Sequence, residues 1–123
     1  MANRLQGRVE SVAFRELDRI LARPSRFAAF FSSAERKAMR RRLKPREGLA
    51  ARLAAKRALH GLMNGARFSY ARVEIRNRKT GEPYFYFLNP AERAAVARQM
   101  PRLFVSLSHS GTYGFAFVCI EKS

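Results

Sequence analysis

The chain has 123 residues, enough for one domain with a core of its own and too few for a deep cavity inside one subunit. Hydrophobic residues make up 47% of the chain, which excludes a disordered basic tail. Twenty-five lysines and arginines against nine acidic residues give a net charge of +16, which predicts an acidic partner: nucleic acid, anionic lipid, a phosphate-rich cofactor or an acidic protein.

Cysteine usage and hydropathy predict a cytoplasmic protein. The single Cys119 has no partner for an internal disulfide. The N-terminus lacks a signal-peptide pattern, and no apolar run approaches the ~20 residues that cross a bilayer. We therefore expect a reducing compartment and no membrane contact.

Apolar spacing in the first third of the chain predicts a strand and two helices. Residues 10–21 first alternate and then repeat every three or four positions, as in a short strand that continues into a helix. Pro24 is expected to end that helix, with a loop or turn after it. Ser32 and Glu35 have capping-box spacing, which predicts a second helix that Pro45 stops. The aromatic residues expected in the core after Pro24 are Phe27, Phe30 and Phe31.

The middle of the chain predicts one long helix. Residues 47–63 carry leucines among many alanines, and Asn64-Gly65 supplies a left-handed stop. The alanines allow this helix to pack closely on a sheet. Gly61 lies inside it and costs roughly 1 kcal/mol relative to alanine.

The second half of the chain changes to a period of two, which predicts strands. Asn89 is expected to cap a short helix that ends near Met100, between the second and third of these strands. The predicted strands are 69–76, 84–88, 103–108 and 113–121. No repeat or linker interrupts the pattern, so we predict a single α+β domain over residues 1–123.

Three segments, at residues 27–36, 49–59 and 105–118, indicate a protein family more specifically together than any one of them does alone. The second reads LAARLAAKRAL and the third VSLSHSGTYGFAFV. Their order and spacing resemble the holo-acyl-carrier-protein synthase family of 4'-phosphopantetheinyl transferases. The first is similar to the family's Arg-Phe, Phe-Thr and Glu block, the second to its central helix and the third to its final hairpin. Gly81-Glu82-Pro83 also resembles the family's Gly-Lys-Pro turn.

The resemblance implies a 4'-phosphopantetheinyl transferase-like fold, with an antiparallel sheet packed on a long central helix, and a homotrimer with sites at subunit interfaces. It implies transfer of 4'-phosphopantetheine from coenzyme A to a serine of acyl carrier protein, in fatty acid or polyketide biosynthesis. The net charge agrees with this, since both ligands are anionic. No nucleic-acid motif accompanies the charge, which speaks against RNA or DNA as the partner.

The family holds a divalent cation with an Asp in the first strand and a Glu on the central helix. Counting from Gly7 places Val9 at the Asp position, whereas the apolar pattern around Val12 places Glu10 there. We prefer Glu10, because a shift of one residue would turn the apolar face of the strand outward. The Glu position holds Arg57, whose guanidinium cannot ligate Mg2+. Glu10 is therefore the remaining candidate metal ligand, and metal binding stays open.

Two further charges of the central helix bear on phosphate binding. The family's Lys, one turn after the metal-binding Glu, falls on Gly61. We expect Arg57 to pair with Glu10 in the empty site and to bind the pyrophosphate of coenzyme A in place of a cation; a surface charge is the alternative. Lys56 is a second candidate phosphate ligand, with a solvated lysine as the alternative.

Ser108 and His109 resemble the Ser-His strand end with which the family contacts its cofactor. An imidazole, with an ordinary pKa near ~6.5, is able to donate to a phosphate or accept a proton from a hydroxyl; a structural histidine is the alternative. The predicted catalytic residues are thus Glu10, Arg57 and His109. The predicted cofactor ligands are Lys56, Arg57, Ser108 and His109.

Four arginines on or just after the first helix recur near one helical turn and predict a positive stripe. In the family, the corresponding helix receives the acidic recognition helix of carrier protein. A solvated face and an RNA-binding stripe are the alternatives. These residues are Arg15, Arg19, Arg23 and Arg26.

Two functions are open at this point. The whole set of segments favours an active transferase. The loss of the family's Glu and Lys favours a homologue that binds carrier protein or coenzyme A without transfer, or with different chemistry on the acyl chain.

Overall fold

The computed structural model describes residues 4–63 and 68–122. Its helices are α1 (Phe14–Leu21), α2 (Pro24–Phe30), α3 (Ser33–Arg40), α4 (Pro45–Leu62) and α5 (Pro90–Gln99). Its strands are β1 (Arg4–Ala13), β2 (Val73–Asn77), β3 (Pro83–Phe87), β4 (Arg102–His109) and β5 (Tyr113–Lys122). The predicted α+β class is confirmed.

The strands form two antiparallel sheets. The larger has the order β1-β5-β4, so that β1 and β4 are its edges, and the smaller is the β2–β3 hairpin. In the described part of the chain, no helix is long and apolar enough to cross a membrane.

Helix α4 packs across one face of the larger sheet. Alternate residues of β5 turn inward, so that Ala116, Val118 and Ile120 are buried against the helix, whose leucines and alanines are also buried. At Gly114 the two backbones come so close that an added Cβ would lie 2.3 Å from the backbone N of Ala51. Only glycine, which has no side chain, therefore fits at this position.

We predict that Gly114→Ala lowers the free energy of unfolding by about 1–3 kcal/mol, because the added methyl group overpacks the contact between β5 and α4. The measurement is urea unfolding followed by circular dichroism. Gly111→Ala is the matched control, since its Cβ would meet nothing within 4 Å in the turn before β5. Equal stability of the two variants would contradict the prediction.

Two sequence-based expectations fail at prolines. The segment after Pro24 is a helix, α2, and not a loop, because proline at the first helical position lacks only an N–H that would be unpaired there. In the same way Pro45 begins α4 and does not stop α3, which already ends at Arg40. The residues between α3 and α4 thus form a loop.

Other expectations are confirmed or adjusted. Phe31 is fully buried, and Phe27 and Phe30 pack against the core as predicted. The strand predicted over 69–76 begins only at Val73, because residues 70–72 form a 3-10 turn. The stop predicted at Asn64-Gly65 lies outside the described residues.

Candidate functional site

A pocket of about 530 Å3 lies between the N-terminal end of α4, the β2–β3 turn and β4. We call it the basic pocket. Arg42 and Lys44 come from the loop between α3 and α4, and Arg52 comes from α4 itself. Glu47, Glu82 and His109 also line it.

Arg52 and Arg42 give this pocket its electrostatic character. Arg52 is only 6% exposed, and its Nη1 donates to the backbone oxygen of Gly48 at 3.2 Å; in the described chain no carboxylate forms an ion pair with it. Both guanidinium groups lie 3.2 Å from the position that a Cβ of Gly48 would take. Burial, and secondarily Arg42, lower the pKa of Arg52, while Glu35 opposes them. A buried cation next to a second cation favours the binding of an anion.

His109 and Ser108 lie at the end of β4, on the rim of the basic pocket. His109 Nε2 is 3.4 Å from Glu47 Oε2, and its side chain is half exposed. Ser108 points to the other face of the sheet, because neighbouring strand residues alternate. The structure thus brings His109 to the pocket that Arg42 and Arg52 line, whereas the hydroxyl of Ser108 faces away from α4.

The other predicted residues lie towards the opposite end of α4. Glu10 pairs with Ala116 in the sheet and therefore faces α4, as Val12 does. Val9 is 68% exposed on the other face. The structure thus turns Glu10, and not Val9, towards the helix, and the assignment of Glu10 to the family's Asp position stays a prediction.

The expected pairing of Arg57 with Glu10 is wrong. Arg57 Nη2 donates to Glu16 Oε1 on α1 at 2.6 Å, and this hydrogen bond lowers the pKa of Glu16. Glu10 accepts instead from Arg8 Nε at 2.9 Å. Arg8 lies two residues away on the same face of β1, so it is the nearer partner for the Glu10 carboxylate.

The expectation that Lys56 meets a phosphate is also wrong, because its ammonium group is fully buried. Nζ donates to Glu35 Oε1 at 2.6 Å and to the backbone oxygens of Phe30 and Tyr70, both at 2.8 Å. These three acceptors use every N–H of the group. Burial lowers the pKa of Lys56, while Glu35 opposes that shift.

Around this lysine lies a polar network that sequence reasoning missed, apart from its capping box. Glu35 accepts from the backbone N–H groups of Ser32 and Ile75, each at 3.1 Å, which confirms the capping box. Ser32 Oγ donates to Glu74 Oε2 on β2 at 2.5 Å. The network joins α3, α4 and β2. A signal was present in the sequence, since position 56 follows Leu49 and Leu53 at helical spacing.

We predict that Lys56→Met costs about 3–5 kcal/mol of unfolding free energy, because it leaves the buried Glu35 carboxylate without a cation. The measurement is again urea unfolding. Lys37→Met is the control, because Lys37 is an exposed lysine on α3. A loss within about 0.5 kcal/mol, as is usual for surface changes, would contradict the buried ion pair.

The predicted arginine stripe lies on the surface. Arg15 and Arg19 are one turn apart on α1, Arg23 precedes α2, and Arg26 is in its first turn. All four are exposed, and none has an ion pair within residues 4–63 and 68–122. Their charge is therefore available to an acidic partner.

Solved structures share this arrangement of sheet and central helix. A holo-[acyl-carrier-protein] synthase of Neisseria meningitidis matches with a TM-score of 0.81 at 26% identity, over 94% of this chain and 97% of that one. A holo-(acyl-carrier-protein) synthase of Bacillus anthracis, in complex with CoA (3',5'-ADP), matches with a TM-score of 0.74 at 20% identity. That match covers 95% of this chain and 96% of the other. The fold is thus that of known acyl-carrier-protein synthases.

The amino-acid sequence gives the family itself. A holo-[acyl-carrier-protein] synthase of Leifsonia xyli subsp. xyli is 34% identical over 116 residues, which are 93% of each chain. No protein-family model matches the chain. The chain belongs to the holo-[acyl-carrier-protein] synthase family, as its three segments indicated.

Proposed function

We propose that this chain transfers the 4'-phosphopantetheine group of coenzyme A to a serine of acyl carrier protein. The observation that carries the proposal is Arg52, a buried cation without a carboxylate partner in the basic pocket of a chain of this family. An unpaired buried guanidinium is costly unless an anion compensates it.

The basic pocket is the proposed site for the 3',5'-ADP part of coenzyme A. The relative from Bacillus anthracis is a complex with CoA (3',5'-ADP), which makes the nucleotide the matching anion. Arg42, Lys44 and Arg52 supply guanidinium and ammonium donors for its phosphates. His109, on the rim, is the candidate to donate to a phosphate and to accept the proton of the serine.

The proposed reaction is one phosphoryl transfer. The serine oxygen of the carrier forms a bond to the phosphorus that bears pantetheine, and the bond from that phosphorus to the bridging oxygen breaks. Adenosine 3',5'-bisphosphate leaves, and the serine proton passes to a base. Catalysis of such a step depends on positioning and on charge stabilisation at the phosphate oxygens.

The arginine stripe is the proposed dock for acyl carrier protein. The four side chains form no ion pairs in the described chain, and the net charge of +16 attracts an acidic protein at long range. An interface of this kind gains mostly in association rate and is weakened by salt.

A homotrimer is the proposed assembly. The sheet face opposite α4 carries large apolar side chains that are 44–74% exposed, and an apolar patch of this kind marks an interface. We propose that identical copies in a closed ring cover this face, with the edge strand β1 of one copy beside the edge strand β4 of the next. The exposed residues are Leu5, Val9, Phe104, Tyr113 and Phe117.

Such a ring would join two half-sites. Within one subunit, Arg57 lies ten residues beyond Glu47, about 15 Å along α4 from the helix end that His109 contacts. Glu10 lies on β1 and His109 on β4, at the two edges of the sheet. We therefore propose that Glu10 and Arg57 of one copy complete the basic pocket of its neighbour.

A second candidate function is binding of coenzyme A and carrier protein without transfer. Arg57 favours it, since a guanidinium stands where the family resemblance calls for a metal-binding carboxylate. The two candidates differ in one observable, which is the covalent state of the carrier serine.

We predict that the protein, mixed with coenzyme A and apo acyl carrier protein, adds the mass of one phosphopantetheine group to the carrier. Intact-mass spectrometry provides the measurement. Arg52→Gln should lower coenzyme A affinity about tenfold or more, because a charge-assisted hydrogen bond is lost.

Arg19→Glu is the matched variant for the carrier. It should leave coenzyme A affinity unchanged and weaken binding of the carrier, because it reverses one charge of the stripe. Binding of both ligands with no mass gain would establish the second candidate function. Failure to bind either ligand at low ionic strength would remove both.

We predict that the Arg57→Gln and His109→Ala variants each lose transfer activity alone, and that co-expression of the two variants restores part of it. If each site takes Arg57 from one copy and His109 from the next, random mixing restores about a quarter of the wild-type sites. The measurements are the transfer rate and the mass in solution, expected to be three times 14.1 kDa. Trimers that form without recovery of activity would contradict a site that takes Arg57 from one copy and His109 from another.

A further inference from the structure

Arg57 and the strand residue Arg8 occupy neighbouring positions on one face of α4 near its C-terminal end. Position 61 lies one turn after Arg57, and residues four apart are neighbours on a helix surface. An added Cβ at Gly61 would lie 2.8 Å from both Cζ and Nε of Arg8. The guanidinium of Arg8 therefore lies directly on the helix at position 61. We call Arg8 and Arg57 the guanidinium pair.

Each member of the guanidinium pair is held by one carboxylate. Arg8 is paired with Glu10 on its own strand, and Arg57 with Glu16 on α1. Tyr70 lies within reach of this group: burial raises the pKa of its phenol, Arg57 lowers it, and Glu10 raises it. Two cations and two carboxylates thus share one corner between β1, α1 and α4.

This corner is where the family resemblance places a divalent cation, and the residues present do not fit one. Both carboxylates already have guanidinium partners, and a guanidinium has no lone pair for a metal. Among residues 4–63 and 68–122, no three His, Cys, Asp or Glu side chains are grouped so as to hold a metal ion.

We propose that the guanidinium pair binds the pantetheine-bearing phosphate of coenzyme A in place of a metal ion, with Arg8 over Gly61 as the second cation. This inference rests on the proposed function. Arginine has five N–H donors in a planar fork, and the ion pairs with Glu10 and Glu16 use one nitrogen of each arginine. The side chains of Arg8 and Arg57 are 49% and 29% exposed, so donors remain for phosphate oxygens.

The carboxylates have a positioning role in this arrangement. Glu10 and Glu16 neutralise the two cations, so the corner has no excess positive charge of its own. Affinity for a phosphate must then come from directed N–H···O bonds and from the positive field of the whole chain. Gly61 is as necessary as the arginines, because any side chain there would displace the Arg8 guanidinium.

The experiment is calorimetric titration of coenzyme A and of adenosine 3',5'-bisphosphate, each with Mg2+ and with EDTA. The second ligand lacks the pantetheine-bearing phosphate and reports the basic pocket alone. For the wild type we expect the same coenzyme A affinity in both buffers. Arg8→Gln and Arg57→Gln should each weaken coenzyme A binding about tenfold and leave the bisphosphate unchanged.

Gly61→Ala tests the position of the Arg8 guanidinium most directly, since it retains every charge. Its helix propensity improves, and the one close contact is the end of a flexible arginine, so the fold should persist. We expect the same loss of coenzyme A affinity as in Arg8→Gln. Arg4→Gln is the control, because it removes one charge from the same face of β1 without touching the pair.

Three outcomes would overturn the inference. Coenzyme A binding that EDTA abolishes would show that a metal ion is needed. Unchanged affinity in Arg57→Gln and Gly61→Ala, with bisphosphate binding intact, would overturn the guanidinium pair and leave the proposed function standing. A wild type that binds neither ligand would overturn both together.

Discussion

The close packing of α4 on the three-stranded sheet is the constraint on which the sites of this protein depend. Alanines on the helix and Gly114 on β5 let the two backbones approach to the limit of van der Waals contact. This close packing fixes the position of the helix on the sheet. Its first turns line the basic pocket and its later turns carry Arg57, so the packing of α4 fixes the positions of both within one subunit.

A buried ion pair connects α4 to the rest of the domain. Lys56 and Glu35, with Ser32 and Glu74, link α4 to α3 and to the small β2–β3 sheet. All three hydrogens of the ammonium group have acceptors, which is the condition under which a buried charge is tolerated. The β2–β3 turn and the α3–α4 loop both line the basic pocket, so the network also positions two of its walls.

The sequence predicted the fold more completely than the site. Periodicity indicated the strands and helices, and the apolar pattern around Val12 correctly turned Glu10 towards α4. The errors at Pro24 and Pro45 have one cause, since proline suits both the end of one helix and the first position of the next. Side-chain partners were harder to predict. The contacts of Arg8 and the burial of Arg52 arise only when segments distant in sequence pack together. Nothing in the local sequence distinguishes these two residues from the other arginines of a basic chain.

The contact between Arg8 and Gly61 also has an evolutionary consequence. A side chain at position 61 would enter the space that the Arg8 guanidinium fills, so a change at one position alters what the other position can accommodate. The two positions are therefore epistatic. In a lineage that carries Arg8, a larger residue at position 61 requires that the arginine on the strand move aside or be replaced.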